Sequence, residues 1–356
     1  MLGKNLTRLA AIGFEQAHRD GEDMGVIAVR GRYQVNEDGS LQLSDRQDIV
    51  LVDEYDGNPH TSPLIKAADL IPFKPASDIT FLGAAYAPDG RAKQDWLVAI
   101  KVGQLSHAIR VTGARSWVCT AGKWRLSDPQ EATEVPIDYR LAAGDGHIEG
   151  LGSPSVPGNP IGVSRPTPEQ ALSSASVPAP RIDDAEEDYS DPFFARKPLG
   201  LGPVAPFWYF RQRYAGTYDD TWQAHRHPQL PVDFDYRFYH SAHPSMIYPG
   251  FLAGDEMVEM ARLTPGGGTF KFALPALRPV ASYRWRDGRE VVVQLNLDGV
   301  HIDFRNGARN VDLTWRAWLP ICPNFLCINL SDRPFADQEA ASLPRASLHG
   351  LTEVLA

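Results

Sequence analysis

Three short turn motifs near the C-terminal end constrain the fold more than any other feature of this chain. Asp-Gly or Asn-Gly pairs accept the positive φ angles of primed turns, whose twist matches that of antiparallel strands. The pairs are Asp287-Gly288, Asp298-Gly299 and Asn306-Gly307. They separate segments rich in β-branched and aromatic residues, namely Val280 to Trp285, Glu290 to Leu297, Val300 to Phe304 and Asn310 to Leu319. The spacing predicts a four-stranded antiparallel meander.

The first 145 residues alternate between apolar and polar side chains, as half-buried strands do. Ile27, Val29, Tyr33 and Val35 fall on one face of such a pattern. Further strand candidates are Gln47 to Tyr55, Asp78 to Tyr86, Trp96 to Val102 and Ala108 to Val111. Only two segments are candidate helices, namely Ala253 to Ala261, which could equally be a strand, and Pro334 to Ser342. We therefore expect an all-β protein with two sheet-rich antiparallel lobes, sandwich-like or barrel-like, and few short helices.

Proline and acidic residues set the middle of the chain apart from both ends. Eleven of the 29 prolines lie between Leu151 and Pro206, and the same range contains an acidic run at Asp183 to Asp188. Such a composition is poor in the large apolar groups that build a core. The expected organisation is an N-terminal β lobe over residues 1–150, a partly flexible connection over residues 151–206, and a C-terminal β lobe over residues 207–356.

Bulk charge and cysteine content exclude several classes of protein. The 44 acidic and 35 basic residues give a formal charge of −9, whereas a phosphate-binding surface needs clustered positive charge, so we expect no nucleic-acid partner. No run of about 18 apolar residues occurs, so no membrane span is expected. The three cysteines are too few for a disulfide framework and suit a reducing compartment. These observations predict a cytoplasmic protein.

The segment from Gly216 to Tyr239 is the candidate binding region. Its 24 residues contain eight aromatic or proline residues and four aspartates, without a sustained strand or helix period. Because aromatic side chains bury large areas, we expect Trp222, Phe234 and Phe238 to hold the segment against the rest of the protein. Long ordered loops of this kind usually serve binding rather than the core. The candidate partner-binding residues, including two that precede the segment, are Trp208, Arg211, Thr217, Tyr218, Trp222, Asp233, Phe234 and Asp235.

Histidines provide the best argument for an enzyme. The chain lacks a dinucleotide-binding glycine motif, a phosphate-binding loop and a serine-hydrolase elbow. His225, His227, His240 and His243 surround Asp233 and Asp235, and imidazole with carboxylate suits zinc or iron. A metal-dependent β-fold enzyme, or a carbohydrate-binding module, using the region of His225, His227, Asp233 and His240 is therefore the alternative function. The other interpretation is that Asp233 and Asp235 cap turns and hold Arg213 or Arg237, with no cofactor.

Ten short motifs, taken in order over roughly residues 20 to 330, resemble those of the bacterial family called domain of unknown function 2169. They are Asp69 to Pro75, Ser77 to Pro88, Val111 to Trp117, Val135 to Tyr139, Gly158 to Gly162, Leu199 to Pro203 with Trp208 to Arg211, Gly216 to Trp222, Leu230 to Asp235, Phe272 to Pro275 and Val311 to Trp318. The resemblance implies a cytoplasmic adaptor, or chaperone, of type VI secretion. Its expected partners are a secreted effector protein and the spike protein onto which the effector is loaded. The resemblance also implies that the protein acts by binding and not by catalysis.

Overall fold

The computed structural model describes residues 1–144, 158–166, 176–186 and 197–332, and β-strands dominate them. The strands in chain order are β1 (Leu2–Asn5), β2 (Ala10–Ala17), β3 (Asp23–Val35), β4 (Leu41–Leu43), β5 (Glu54–Tyr55), β6 (Leu64–Lys66), β7 (Asp78–Leu82), β8 (Ala84–Tyr86), β9 (Asp95–Val102), β10 (Leu105–Thr112), β11 (Ser116–Thr120), β12 (Lys123–Leu126), β13 (Glu134–Pro136), β14 (Ser176–Pro178), β15 (Ile182–Asp184), β16 (Met257–Ala261), β17 (Thr269–Ala273), β18 (Val280–Trp285), β19 (Glu290–Gln294), β20 (Asn296–Asp303), β21 (Asn310–Pro320) and β22 (Phe325–Ser331). The predicted all-β class is confirmed.

Helices are short throughout these residues. Two are α-helices, α1 (Tyr209–Gln212) and α2 (Asp220–His225), and five are 3-10 helices at Pro88–Gly90, Tyr139–Leu141, Tyr236–Tyr239, Pro244–Met246 and Arg305–Gly307. The segment Ala253 to Ala261, for which helix and strand were both open, contains strand β16. The predicted helix from Pro334 to Ser342 lies outside the described residues. None of the helices in the described ranges has the length and apolar composition that crossing a membrane requires.

Three larger sheets organise the chain. The six-stranded sheet has the order β2-β3-β21-β20-β7, with β4 also paired to β3, and we call it the central sheet. A five-stranded sheet has the order β15-β10-β9-β16-β17, and a four-stranded sheet the order β1-β22-β18-β19. Pairing in these three sheets is antiparallel except between β7 and β20 and between β1 and β22. Within the described ranges, the sheets do not close into a barrel.

Strands from the two ends of the sequence pair with each other. Strand β3 runs antiparallel to β21, from Gln34 opposite Asn310 to Met24 opposite Pro320. Strand β9 likewise pairs with β16, and β7 with β20. One large hydrophobic cluster includes residues of both halves. Strand pairing therefore crosses the predicted division between residues 1–150 and 207–356, because apolar faces far apart in sequence are buried against each other.

The predicted meander is two hairpins in two different sheets. Strand β18 pairs with β19 in the four-stranded sheet, and β20 pairs with β21 in the central sheet. Asn306 and Gly307 have the positive φ angles expected of a turn, and so does Gly288. Asp298 and Gly299, however, lie inside β20, where the register shifts at a bulge. This part of the prediction is wrong because the Asp298 carboxylate is buried and accepts a hydrogen bond from Arg316 Nη1.

The described parts of the proline-rich region are packed against the body. Strand β14 pairs with β11, and β15 pairs with β10. Asp183, from the acidic run, is buried and forms an ion pair with Arg115. Leu199 and Leu201 belong to the main core. Strand pairing and a buried ion pair therefore hold these residues in place. Residues 145–157, 167–175 and 187–196 of this region lie outside the described residues.

The central sheet has one apolar face and one charged face. Val29, Leu313 and Trp315 are fully buried on the apolar face. Because side chains alternate along a strand, their neighbours Arg30, Asp312 and Arg316 lie on the opposite face. They too are buried, and there they form ion pairs. This arrangement puts a layer of buried charge on the central sheet.

Candidate partner-binding surface

Aspartate caps give the predicted irregular segment its local structure. Asp219 Oδ1 accepts a hydrogen bond of 2.8 Å from the backbone N–H of Trp222, which caps helix α2. Asp235 Oδ1 accepts one of 2.8 Å from the backbone N–H of Arg237, which caps the 3-10 helix Tyr236–Tyr239. Short aspartate side chains at these positions satisfy backbone donors that a helix leaves unpaired. Asp235 therefore caps a turn, as one of the two sequence interpretations predicts, and Asp219 acts in the same way.

Three of the predicted binding residues are internal. Trp208 is 1% exposed, and its ring packs edge-on against Tyr139 at 4.9 Å. The buried Arg211 guanidinium donates hydrogen bonds to the carbonyls of Val204, at 3.0 Å, and Phe238, at 2.9 Å. Phe234 is 2% exposed and belongs to the main core. Trp208, Arg211 and Phe234 therefore hold the segment in place, and their burial leaves them no surface with which to contact a partner.

The other predicted residues lie at or near the surface, beginning with a loop that Asp233 closes. Asp233 accepts hydrogen bonds from the backbone N–H of Thr217, at 2.9 Å, and from its hydroxyl, at 2.8 Å. These two bonds lower the pKa of Asp233. Gly216, with φ of 80°, begins the loop, and a Cβ there would approach Pro231 to 2.9 Å. The clasp between Thr217 and Asp233 thus fixes the loop that carries Tyr218.

Tyr218 and Trp222 form an aromatic pair on this loop and helix α2. Tyr218 is 52% exposed, and its ring meets that of Trp222 edge-on at 4.7 Å. Trp222 is partly exposed; its Nε1–H donates to the carbonyl of Gln229 at 2.8 Å, and the His227 ring packs edge-on against it with ring centres 5.2 Å apart. Of the three anchors predicted for this segment, Phe234 is in the core and Phe238 packs beside it, whereas Trp222 remains outside the core. The pair presents aromatic area in a fixed orientation.

A second group of aromatic and arginine side chains stacks in the run just before the segment, together with Arg237. The Arg213 guanidinium lies 5.7 Å from the ring centre of Tyr209 and 4.8 Å from that of Tyr214. The Arg237 guanidinium lies 4.4 Å from the centre of the same Tyr214 ring, and it is ion-paired with Asp235. That ion pair lowers the pKa of the Asp235 carboxyl. Arginine over an aromatic face is a favourable cation–π arrangement.

Sequence reasoning missed the stack, although the run from Tyr209 to Tyr214 contains two tyrosines and two arginines. It correctly expected Asp235 to hold Arg237, whereas Asp233 binds Thr217 instead of an arginine. We call Tyr209, Arg213, Tyr214, Tyr218, Trp222 and Arg237 the aromatic–arginine surface.

The histidines proposed for a metal site do not converge in the structure. His225 and His227 are exposed at the end of helix α2. His240 is buried, and its Nδ1–H donates to Asp78 Oδ1 at 2.6 Å. The Asp233 carboxylate accepts hydrogen bonds from Thr217. In the part of the chain that the structure describes, no three His, Cys, Asp or Glu side chains are grouped so that they could hold a metal ion.

A buried ion network lies beneath the segment and was also missed. Asp78 Oδ2 accepts from Lys74 Nζ at 2.7 Å and from the backbone N–H of Ser241 at 2.6 Å. Burial would raise the pKa of Asp78, but the charges of Lys74 and His240 and their hydrogen bonds lower it overall. The carboxylate is therefore ionised at neutral pH. The available sequence signal was a charged residue at the start of a predicted strand.

Comparison with known proteins places the chain in a family. The model of domain of unknown function 2169, described as an uncharacterized protein conserved in bacteria, matches residues 20–316. No curated protein matches the chain, and no solved structure does. The matched range includes the aromatic–arginine surface and the whole central sheet except β2 and the last residues of β21. The chain therefore belongs to the bacterial family defined by domain of unknown function 2169.

Proposed function

We propose that this protein is a cytoplasmic adaptor, or chaperone, of a type VI secretion system. It binds a secreted effector protein and assists its loading onto the spike protein. It acts by protein–protein binding and without catalysis. The family resemblance suggests this role, and the aromatic–arginine surface is the structural feature that supports it.

The exposure of Tyr209 and Tyr218 is the observation that carries the proposal. Their exposed fractions are 51% and 52%, which is large because most other aromatic side chains among the described residues are at least partly buried. Tyrosine, tryptophan and arginine are the residues most enriched among those that dominate interface energies. The surface brings all three types together within one segment.

The surface is also held in a fixed shape before any partner binds. The aspartate caps, the clasp between Thr217 and Asp233, and the buried anchors Trp208 and Phe234 order the backbone. A surface ordered in advance loses less conformational entropy on binding, so more of the contact energy appears as affinity. This property suits an adaptor that must recognise a folded or partly folded effector.

Co-purification with the proteins encoded beside its gene tests the proposal. The tagged chain is co-expressed with the candidate effector and spike proteins, and the complexes are isolated. We expect the effector to be retained by the wild-type chain and lost with the double variant Tyr209→Ala and Tyr218→Ala. Leu326→Ala, which removes a similarly exposed side chain from β22, is the matched control. Retention of neither effector nor spike by the wild-type chain contradicts the adaptor role.

A further inference from the structure

A cavity of about 40 Å³ lies on the charged face of the central sheet. Its charged lining consists of four cations and two carboxylates, namely Arg30, Lys66, Lys74, Arg316, Asp69 and Asp78. All except Lys66 are more than nine-tenths buried. Arg30 and Arg316 are also paired with Asp312 and Asp298, which lie outside the lining, so a count of hydrogen bonds is needed to show which donors of the lining lack an acceptor.

The carboxylates of Asp69 and Asp78 already accept as many hydrogen bonds from the protein as they can hold. Asp78 accepts from Lys74, from His240, and from both the backbone N–H and the hydroxyl of Ser241. Asp69 accepts from Arg30 at both oxygens, from the backbone N–H of Val50 and from Arg316. An ionised carboxylate has about four lone-pair sites. The two carboxylates that line the cavity are therefore saturated.

The donors that line the cavity are in surplus. An ammonium group has three hydrogens, and Lys74 Nζ has two acceptors in the described residues, Asp78 Oδ2 and Ser241 Oγ. Lys66 Nζ is 3.7 Å from Glu54, an ion pair too long for a hydrogen bond. His301, which also lines the cavity, has a buried Nε2 without a partner in the described residues.

Whether His301 Nε2 is a donor depends on the direction of the hydrogen bond between Thr80 and His301 Nδ1. Thr80 Oγ1 lies 2.8 Å from His301 Nδ1. If the Thr80 hydroxyl gives its hydrogen to Nδ1, the neutral ring carries its own hydrogen on Nε2. A buried donor left without an acceptor costs free energy, and an acceptor within the cavity would remove that cost for Lys74 and His301 together.

We propose that this cavity binds a small oxyanion, a carboxylate or a phosphate group, between Lys66, Lys74 and His301. The anion supplies an acceptor to each of these three nitrogens. The cavity exceeds the roughly 10–15 Å³ that a single water molecule needs. Lys66, whose side chain is 18% exposed, stands at the solvent side of the site. The proposal does not depend on the adaptor function.

Thermal unfolding and calorimetric titration of the full chain test the site, with inorganic phosphate and acetate as probes. Sodium chloride at matched ionic strength is the reference. We expect a saturable rise in Tm of a few degrees with phosphate, acetate or both, because a ligand that binds only the folded state stabilises it. The anion that produces the rise identifies the preferred group. An equal rise with chloride, or no saturable response to either probe, overturns the proposal.

A lysine variant at the solvent side distinguishes this site from general anion binding. Lys66→Gln removes the cation that is least constrained by the fold, and we expect the apparent affinity to fall about tenfold, as loss of one close charge contact allows. Lys101→Gln is the matched control, since Lys101 faces Glu259 at 3.8 Å on the five-stranded sheet and lies outside the cavity. Equal affinities of wild type and Lys66→Gln would place the anion elsewhere and refute the assignment.

Discussion

Asp78 and His240 are 162 residues apart in sequence, yet Asp78 Oδ1 and His240 Nδ1 lie 2.6 Å apart in the interior. Asp78 begins β7, the edge strand of the central sheet, and His240 directly follows the 3-10 helix Tyr236–Tyr239. Lys74 and Ser241 complete the hydrogen bonds of the same carboxylate. This contact ties the end of the segment that carries the aromatic–arginine surface to the central sheet.

Asp78→Asn should strongly destabilise the protein. The amide cannot balance the buried Lys74 charge, and breaking a buried ion pair by removing one partner typically costs about 3–5 kcal/mol. The free energy of unfolding, measured by urea denaturation at pH 7, checks this expectation. Asp287→Asn, at an exposed turn, is the control and should leave the free energy of unfolding nearly unchanged. A similarly small effect of Asp78→Asn would show that the network is not a stabilising anchor.

Trp208→Ala should unfold the region around α1. The indole is fully buried against Tyr139, and truncating a buried Trp costs about 3–5 kcal/mol through lost burial and the cavity left behind. We expect a large fall in Tm in thermal unfolding followed by circular dichroism. An unchanged Tm would contradict the assignment of Trp208 to the interior and return it to the list of surface candidates.

His243 should make the protein less stable in mild acid. Burial, followed by the charge of nearby His107, lowers the pKa of His243 to about 4. In the unfolded chain the pKa is about 6.5. Between these values the unfolded state binds more protons, so the free energy of unfolding is highest above pH 6.5 and falls as the pH drops toward 4. The loss attributable to this group is about 3 kcal/mol.

Comparing wild type with His243→Gln isolates this effect. The glutamine amide can still donate toward the carbonyl of Pro198, which His243 Nε2 contacts at 3.0 Å, but it does not titrate. We expect the unfolding free energies of the two proteins to converge as the pH is lowered from 7 to 4.5. Parallel pH profiles would show that another group is responsible.

Strands and local turns could be predicted from the sequence because they depend mainly on residues that are close together in the chain. Apolar alternation located β3, β9 and β21, and Asn306-Gly307 makes the turn expected of it. Asp298-Gly299 has nearly the same local chemistry, but Arg316 on the adjacent strand draws Asp298 into the interior. Which strands pair, and hence the mixing of both halves in one sheet, depends on contacts that no local pattern contains.

The candidate surface could be located to a segment but not residue by residue. Trp208 and Trp222 have similar aromatic and proline-rich surroundings in the sequence, yet one is 1% exposed and the other lies partly at the surface. The difference comes from Tyr139, a distant residue against which only Trp208 packs. The charged face of the central sheet was detectable in principle, since Arg30 and Arg32 occupy alternate positions in a predicted strand. Their partner Asp312 could not be identified without the pairing of β3 with β21.

Trp222→Ala should weaken partner binding more than folding. Trp222 lies outside the hydrophobic core, so its loss should shift Tm by only a few degrees, while truncation of an interface tryptophan often costs about 2 kcal/mol or more. We expect recovery of the effector in a pull-down to fall about tenfold or more at matched protein concentration. Trp124→Ala, which truncates another partly exposed tryptophan on strand β12, controls for general loss of indole surface. If Trp222→Ala abolishes folding, the residue is structural; if folding and recovery are both unchanged, the partner binds elsewhere, and the exposed edges of the sheets become the surfaces to test.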